Sequence, residues 1–140
     1  MSIVCSGSVA YDYLMRFPGY FKDQILPDHL DSISLSFLVD EMVVLQGGIA
    51  PNVCYSLALL GGNPMLFATV GEDFDKYRKW LEERDVDCRF ARVIPGKFTA
   101  SFFCNTDLAN AQVASFYTGA MGNSADLKVA ELEGEQVDLF

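Results

Sequence analysis

Residues 47–74 read GGIAPNVCYSLALLGGNPMLFATVGEDF, and this stretch decides the fold. A glycine pair, Gly47-Gly48, opens onto a dense apolar segment from Asn52 to Leu60. That density predicts a helix buried on most sides. Gly61-Gly62 stops it, since glycine takes the left-handed conformation that ends a helix. Pro64 to Val70 is then apolar at nearly every position, as in a parallel strand covered on both faces. Gly71-Glu72-Asp73 leads into a second helix over Phe74 to Arg84, where Phe74, Tyr77, Trp80 and Leu81 recur at helical spacing. Helix, buried strand and helix in succession predict an open α/β sheet.

Working outward, Ile3 to Val9 is a short apolar strand carrying the small residues Ser6-Gly7-Ser8. Residues 86–94 predict another strand, and residues 124–133 a helix capped by Ser124. Two further regions carry a different pattern. In 33–46, Ile33, Leu35, Phe37 and Val39 alternate with Ser32, Ser34, Ser36 and Leu38, and Met42 to Leu45 follow the acidic pair Asp40-Glu41. Lys97 to Asn105 and Gln112 to Tyr117 read as a hairpin, with Thr99 and Ser101 alternating with Phe98, Ala100 and Phe102. Alternation implies strands with one wet face. The expectation is a second, smaller sheet built from insertions at about 33–46 and 97–118. Val137-Asp138-Leu139-Phe140 reads as the opening of a strand rather than a finished tail.

Composition narrows the function. The chain has 140 residues, within the size of one domain, and 51% hydrophobic residues, enough for a core. Ten basic against nineteen acidic residues give a net charge of −9, which repels phosphate backbones and argues against nucleic-acid binding. No apolar run reaches the ~18–20 residues of a membrane span. The start, Met-Ser-Ile-Val-Cys, lacks the basic flank of a signal peptide, so a cytoplasmic location is expected. Cys5, Cys54, Cys88 and Cys104 are widely spaced in apolar settings, which predicts reduced, buried thiols. With His29 alone, in a Pro-Asp-His-Leu-Asp segment, neither a zinc site nor a histidine-activated nucleophile is expected. Gly96-Lys97 does not complete a P-loop, and Gly7-Ser8-Val9-Ala10 is not a dinucleotide fingerprint.

Chemistry concentrates in a few places. Gly47-Gly48 would let a ligand approach the backbone, the following helix N-terminus would offer N–H groups, and Asn52 suits a diol or sugar hydroxyl. The competing reading is a plain loop with Asn52 as helix cap. Asp12 follows the first strand, where ligands bind in open α/β sheets, and its carboxylate can accept from two hydroxyls; otherwise it is a solvated loop residue. Asp73 reads as a helix cap rather than a catalytic group. Phe102, Phe103, Phe116 and Tyr117 would either pack the sheet or cover an aromatic ligand.

Together these segments resemble the PfkB-type kinases, the ribokinase and adenosine kinase group. Gly47-Gly48-Ile49-Ala50-Pro51-Asn52 matches the start of the family's first signature, and Gly61 and Gly71 follow at its later spacings. Cys54 stands where the pattern has Ser, Thr or Ala. Gly7 with Asp12 matches the opening strand and loop, Gly71-Glu72-Asp73-Phe74 the Gly-x-Asp-Phe segment, and Thr99 with its hairpin the lid strands. The adenosine-kinase-like branch is the nearest in flavour. The resemblance implies a ribokinase-like three-layer α/β/α sheet with a small β lid. It implies ATP- and Mg2+-dependent phosphorylation of a hydroxymethyl group on a sugar or nucleoside. Asp12, Gly47, Gly48 and Asn52 would bind substrate hydroxyls, and Phe102 and Phe116 would belong to the closing lid. The second signature, Asp-Thr-x-Gly-Ala-Gly-Asp, carries the family's catalytic aspartate and has no counterpart here; Gly119-Ala120-Met121-Gly122 lacks the aspartate. The chain is therefore expected to be the N-terminal, substrate-binding and lid part of such a kinase, inactive alone. The alternative is a non-catalytic module that forms a homodimer through the lid sheet.

Overall fold

A computed structural model of the chain describes residues 1–25, 31 and 33–140; the segment around His29 and the residue Ser32 lie outside the described residues. The chain divides into two units. The first comprises Met1–Tyr11, Gln46–Ser101 and Tyr117–Phe140. The second comprises Asp12–Leu45 and Phe102–Phe116.

The first unit is built on a parallel sheet of order β1-β4-β5, with β1 at Ser2–Ser6, β4 at Asn63–Val70 and β5 at Ala91–Val93. The register pairs Ile3 with Pro64 and Ala68 with Ala91. Successive side chains of a strand point to opposite faces. Ile3 and Cys5 of β1, with Leu66, Ala68 and Val70 of β4, therefore enter one apolar cluster, together with Cys54, Phe74, Tyr77 and Leu81. Val4, Met65 and Phe67 enter a second cluster with Leu132, against which Leu127 and Val137 pack. Both faces of β4 are covered, which is why its sequence is apolar throughout.

Helices α1, Ile49–Leu59, and α2, Asp75–Glu82, supply the first cluster. Tyr55 of α1 lies 5.1 Å from Trp80 of α2 between ring centroids. The Arg78 guanidinium donates to the carbonyls of Cys88 at 2.6 Å and Ala91 at 2.9 Å, tying α2 to the segment entering β5. Gly61, at φ +80°, ends α1 as expected, and the N–H of Gly62 donates to the Leu57 carbonyl. Helix α1 is not buried on most sides, however. Only Ala50, Pro51 and Cys54 are buried, while Ile49 is 71% and Leu60, at the helix end, 84% exposed. An all-round apolar sequence states what a helix could bury, not what stands beside it.

The face opposite the helices is covered by two 3₁₀ segments, Gly119–Asp126 and Val129–Leu132, instead of the α-helix expected over 124–133. Leu127 between them is extended, which sends it into the second cluster and breaks any continuous helix. Ser124 consequently caps nothing. The expected strand at 86–94 shortens to β5 plus an isolated bridge between Met65 and Asp87. At the other edge of the sheet, Leu139 forms an isolated parallel bridge with Ile3.

A four-stranded sheet of order β3-β2-β6-β7 carries the second unit, with β2 at Ala10–Arg16, β3 at Glu41–Gly47, β6 at Ala100–Thr106 and β7 at Gln112–Tyr117. The strand expected over 33–46 is thus only its second part. Residues 33–39 form no strand. Phe37 instead packs against Phe17 and Phe21, at 5.1 and 4.8 Å between centroids. The Asp107 carboxylate, 2% exposed, accepts from the backbone N–H of Phe21, Ala109 and Ala111 at 2.8–3.0 Å. Among the described residues no helix is long and apolar enough to cross a membrane. All four cysteines are free and buried.

Candidate functional site

The glycine pair sits where β3 ends and α1 begins. Gly48 is the residue before the helix, at φ +97°. A Cβ there would stand 2.4 Å from the Ser8 carbonyl oxygen and 2.7 Å from the Val9 Cα, so no side chain fits. Ser8 explains the closeness. Its hydroxyl oxygen accepts from the Ile49 N–H at 3.1 Å and its carbonyl from the Ala50 N–H at 3.2 Å. The next residue, Pro51, has no N–H. The Ile49 and Ala50 N–H groups at the start of α1 are therefore already spent on the β1–β2 turn. Asn52 lies inside the first turns of α1, exposed, and is not its cap. Its carbonyl accepts from the Ser56 hydroxyl at 2.9 Å. Gly47 is buried, and its carbonyl accepts from the Tyr77 hydroxyl at 3.2 Å.

A second knot joins the loop 71–74 to residues 96–99. The buried Thr99 hydroxyl donates to Asp73 Oδ1 at 2.7 Å and accepts from the Gly71 N–H at 3.0 Å. The Thr99 N–H also donates to Asp73 Oδ1, and the Glu72 carboxylate accepts from the Gly96 N–H at 2.9 Å. Gly71 has no room for a Cβ, which would lie 2.1 Å from the Thr99 nitrogen. Asp73 is thus a clasp rather than a helix cap; Phe74 occupies the cap position of α2, with no side-chain bond. The Tyr11 hydroxyl donates to the Asp73 carbonyl at 3.2 Å. The sequence placed Ser8, Tyr77 and Thr99 in a turn, a helix and a hairpin, but gave none of them a part in the site. Ser8 was visible as part of the small-residue turn, but the partners of Thr99 and Tyr77 lie 26 or more residues away in sequence.

Gly47, Gly48 and Asn52 belong to the first unit. Asp12 belongs to the second, half-buried within β2 rather than in a loop. Phe102 on β6 is half-buried, and Phe116 on the edge strand β7 is 51% exposed. Phe103, on the opposite side of β6 from Phe102, stacks on Tyr13 at 4.6 Å. Burial pushes the Cys88 thiol up to about 12, and burial beside the Cys5 thiol pushes Cys54 up as well, which disfavours a thiolate at these two positions.

This geometry has known relatives. The pfkB family carbohydrate kinase pattern matches residues 7–140. A nucleoside kinase from Burkholderia thailandensis in complex with inosine is 33% identical, with a TM-score of 0.71, over 98% of this chain and 42% of that one. Its ligand-free form gives 36% identity and a TM-score of 0.81 over 98% and 45%. A Methanocaldococcus jannaschii nucleoside kinase of the ribokinase family gives 25% identity and a TM-score of 0.74, over 90% of this chain and 40% of that one. The chain spans less than half the length of these kinases. With the parallel sheet, the small second sheet and the Gly47–Gly71 spacing in place, the chain belongs to the pfkB family of carbohydrate kinases.

Proposed function

We propose that this chain supplies the substrate-binding and lid parts of a cytoplasmic kinase that transfers a phosphoryl group from ATP to the hydroxymethyl group of a nucleoside. The observation that carries the reading is the 33% identity, over 98% of the chain, to a nucleoside kinase solved with inosine. Asp12, Gly47, Gly48 and Asn52 would bind ribose hydroxyls; within the first unit Tyr77 holds the Gly47 carbonyl and Ser8 the N–H groups of Ile49 and Ala50. Phe102 and Phe116 would close over the substrate and keep out water, which otherwise competes for the phosphoryl group. Among the described residues, no group of three or more His, Cys, Asp or Glu stands together to hold a metal ion. In this reading the chain's own part is to bind, orient and shield the nucleoside.

Titration calorimetry with inosine, adenosine and ribose tests this reading. Nucleoside binding is expected, with Asp12→Ala and Asn52→Ala each weakening it ~3–10-fold, as for a lost hydroxyl hydrogen bond. Unchanged affinity in both folded variants would overturn the site, and no nucleoside binding at all would overturn the reading. One observation favours a second reading, a module that dimerises through its lid sheet. On the edge strand β3, Met42, Val43, Val44 and Leu45 are 47–62% exposed, and such edges invite pairing. Sedimentation of the chain and of Val44→Lys discriminates: a dimer lost in the variant supports this reading, and a monomer in both removes it.

A further inference from the structure

Tyr77 does two separable things. Its ring is closed to solvent and packs among Tyr11, Phe74 and Trp80, at 5.7, 5.4 and 6.1 Å between centroids. Its hydroxyl donates to the Gly47 carbonyl at 3.2 Å, across 30 residues of sequence. The ring contacts belong to the core of the first unit. The hydroxyl reaches out of that core to the glycine pair.

The acceptor stands where packing gives little hold. Strand β3 lies at the edge of its sheet, and of its seven residues only Gly47 is buried. Gly47 and Gly48 have no side chains to pack, and glycine has the freest backbone of any residue. One step beyond the pair, Ser8 holds the Ile49 and Ala50 N–H groups. The peptide group joining Gly47 to Gly48 consists of the Gly47 carbonyl and the Gly48 N–H. It is planar and trans, so these two groups point in opposite directions. A donor that fixes the Gly47 carbonyl therefore also fixes the direction of the Gly48 N–H. We propose that Tyr77 is a positioning residue, whose hydroxyl holds this peptide so that the glycine pair presents the Gly48 N–H to a ribose hydroxyl of the substrate. The inference rests on the nucleoside reading and deepens it: recognition at Gly47-Gly48 depends on a side chain of α2 that need not touch the ligand.

Tyr77→Phe separates the two roles, because it keeps the ring and removes the donor. Titration calorimetry compares inosine with 2′-deoxyinosine and 3′-deoxyinosine. In the unsubstituted chain, loss of the recognised hydroxyl should weaken binding ~3–10-fold. In Tyr77→Phe, inosine should bind ~3–10-fold more weakly and that deoxy analogue about as before, so the ratio of the two falls towards one. Arg78→Gln is the control on the same helix. It removes a guanidinium that donates to the Cys88 and Ala91 carbonyls, so it should lower the melting temperature and keep the ratio. A Tyr77 hydroxyl with a structural role alone would behave as Arg78 does. A lowered melting temperature with an unchanged ratio in Tyr77→Phe therefore overturns the proposal, as does equal binding of all three ligands by the unsubstituted chain. Failure of the unsubstituted chain to bind inosine is a different result: it overturns the nucleoside reading and this inference with it.

Discussion

Thr99 holds three hydrogen bonds at a position closed to solvent: two to Asp73 and one from Gly71. Thr99→Val keeps the shape and removes the hydroxyl, leaving the Gly71 N–H without its acceptor. A loss of ~1–3 kcal/mol in urea unfolding is expected, and Thr99→Ser should restore most of it. Gly48, unlike Thr99, has no substitute. Gly48→Ala forces a Cβ onto the Ser8 carbonyl at a positive φ, which costs ~1–2 kcal/mol for the conformation before the clash is added. Thermal melting should fall, while Gly61→Ala, also at positive φ but with open space around its Cβ position, should lose less. The sequence marked Gly48 as special because an adjacent glycine pair is a local signal. It misread Asp73 because a capping preference is local too, whereas the partner that claims the carboxylate is 26 residues away.

Among the elements, the β6–β7 connection depends on one carboxylate. The N–H groups of Phe21, Ala111 and Ala109 hold Asp107 below the usual carboxylate range, against its desolvation. A group whose folded pKa is depressed contributes stability in full above its unfolded value, ~3.9, and loses it as pH falls through the folded value. Asp87, whose burial is outweighed by Arg89, and Glu131, bonded by the Lys128 N–H and paired with Arg92, are shifted the same way. Melting temperature should therefore stay nearly level from about pH 7 to 5 and drop below about pH 4. Asp107→Asn, which accepts through one oxygen in place of two, should lower the melting point at neutral pH and flatten the acid-side drop. Differential scanning calorimetry across pH checks both. Elements were read best where the pattern had one physical cause. Strand β4 is apolar because both its faces are covered, and the Gly61 stop needs only local geometry. The alternation at 33–39 was equally regular, but there Phe37 packs on Phe17 and Phe21 rather than joining a sheet, and no local pattern records that.

For the whole chain, two properties oppose each other. A net charge of −9 keeps copies apart, while Met42, Val53, Leu59 and Leu60 are among the large apolar residues left exposed. Salt shortens the reach of the repulsion from ~10 Å at 0.1 M to ~3 Å at 1 M and leaves apolar attraction intact. Sedimentation should show the mean mass rising with NaCl, and less steeply for Val53→Glu and Leu59→Glu. Equal masses at both salt concentrations would remove charge as the restraint. The sequence by itself determined the α/β class, the helix–strand–helix order over residues 49–82, and the glycine spacing of the family. Each of these is written in neighbouring residues as period, apolar density or a turn that only glycine can make. Only the tertiary structure decided that Ser8 holds the start of α1, that Asp73 clasps Thr99, and that α1 leaves one face bare. Those outcomes depend on which distant backbone arrives within ~3 Å of a polar group, and no local pattern encodes that distance.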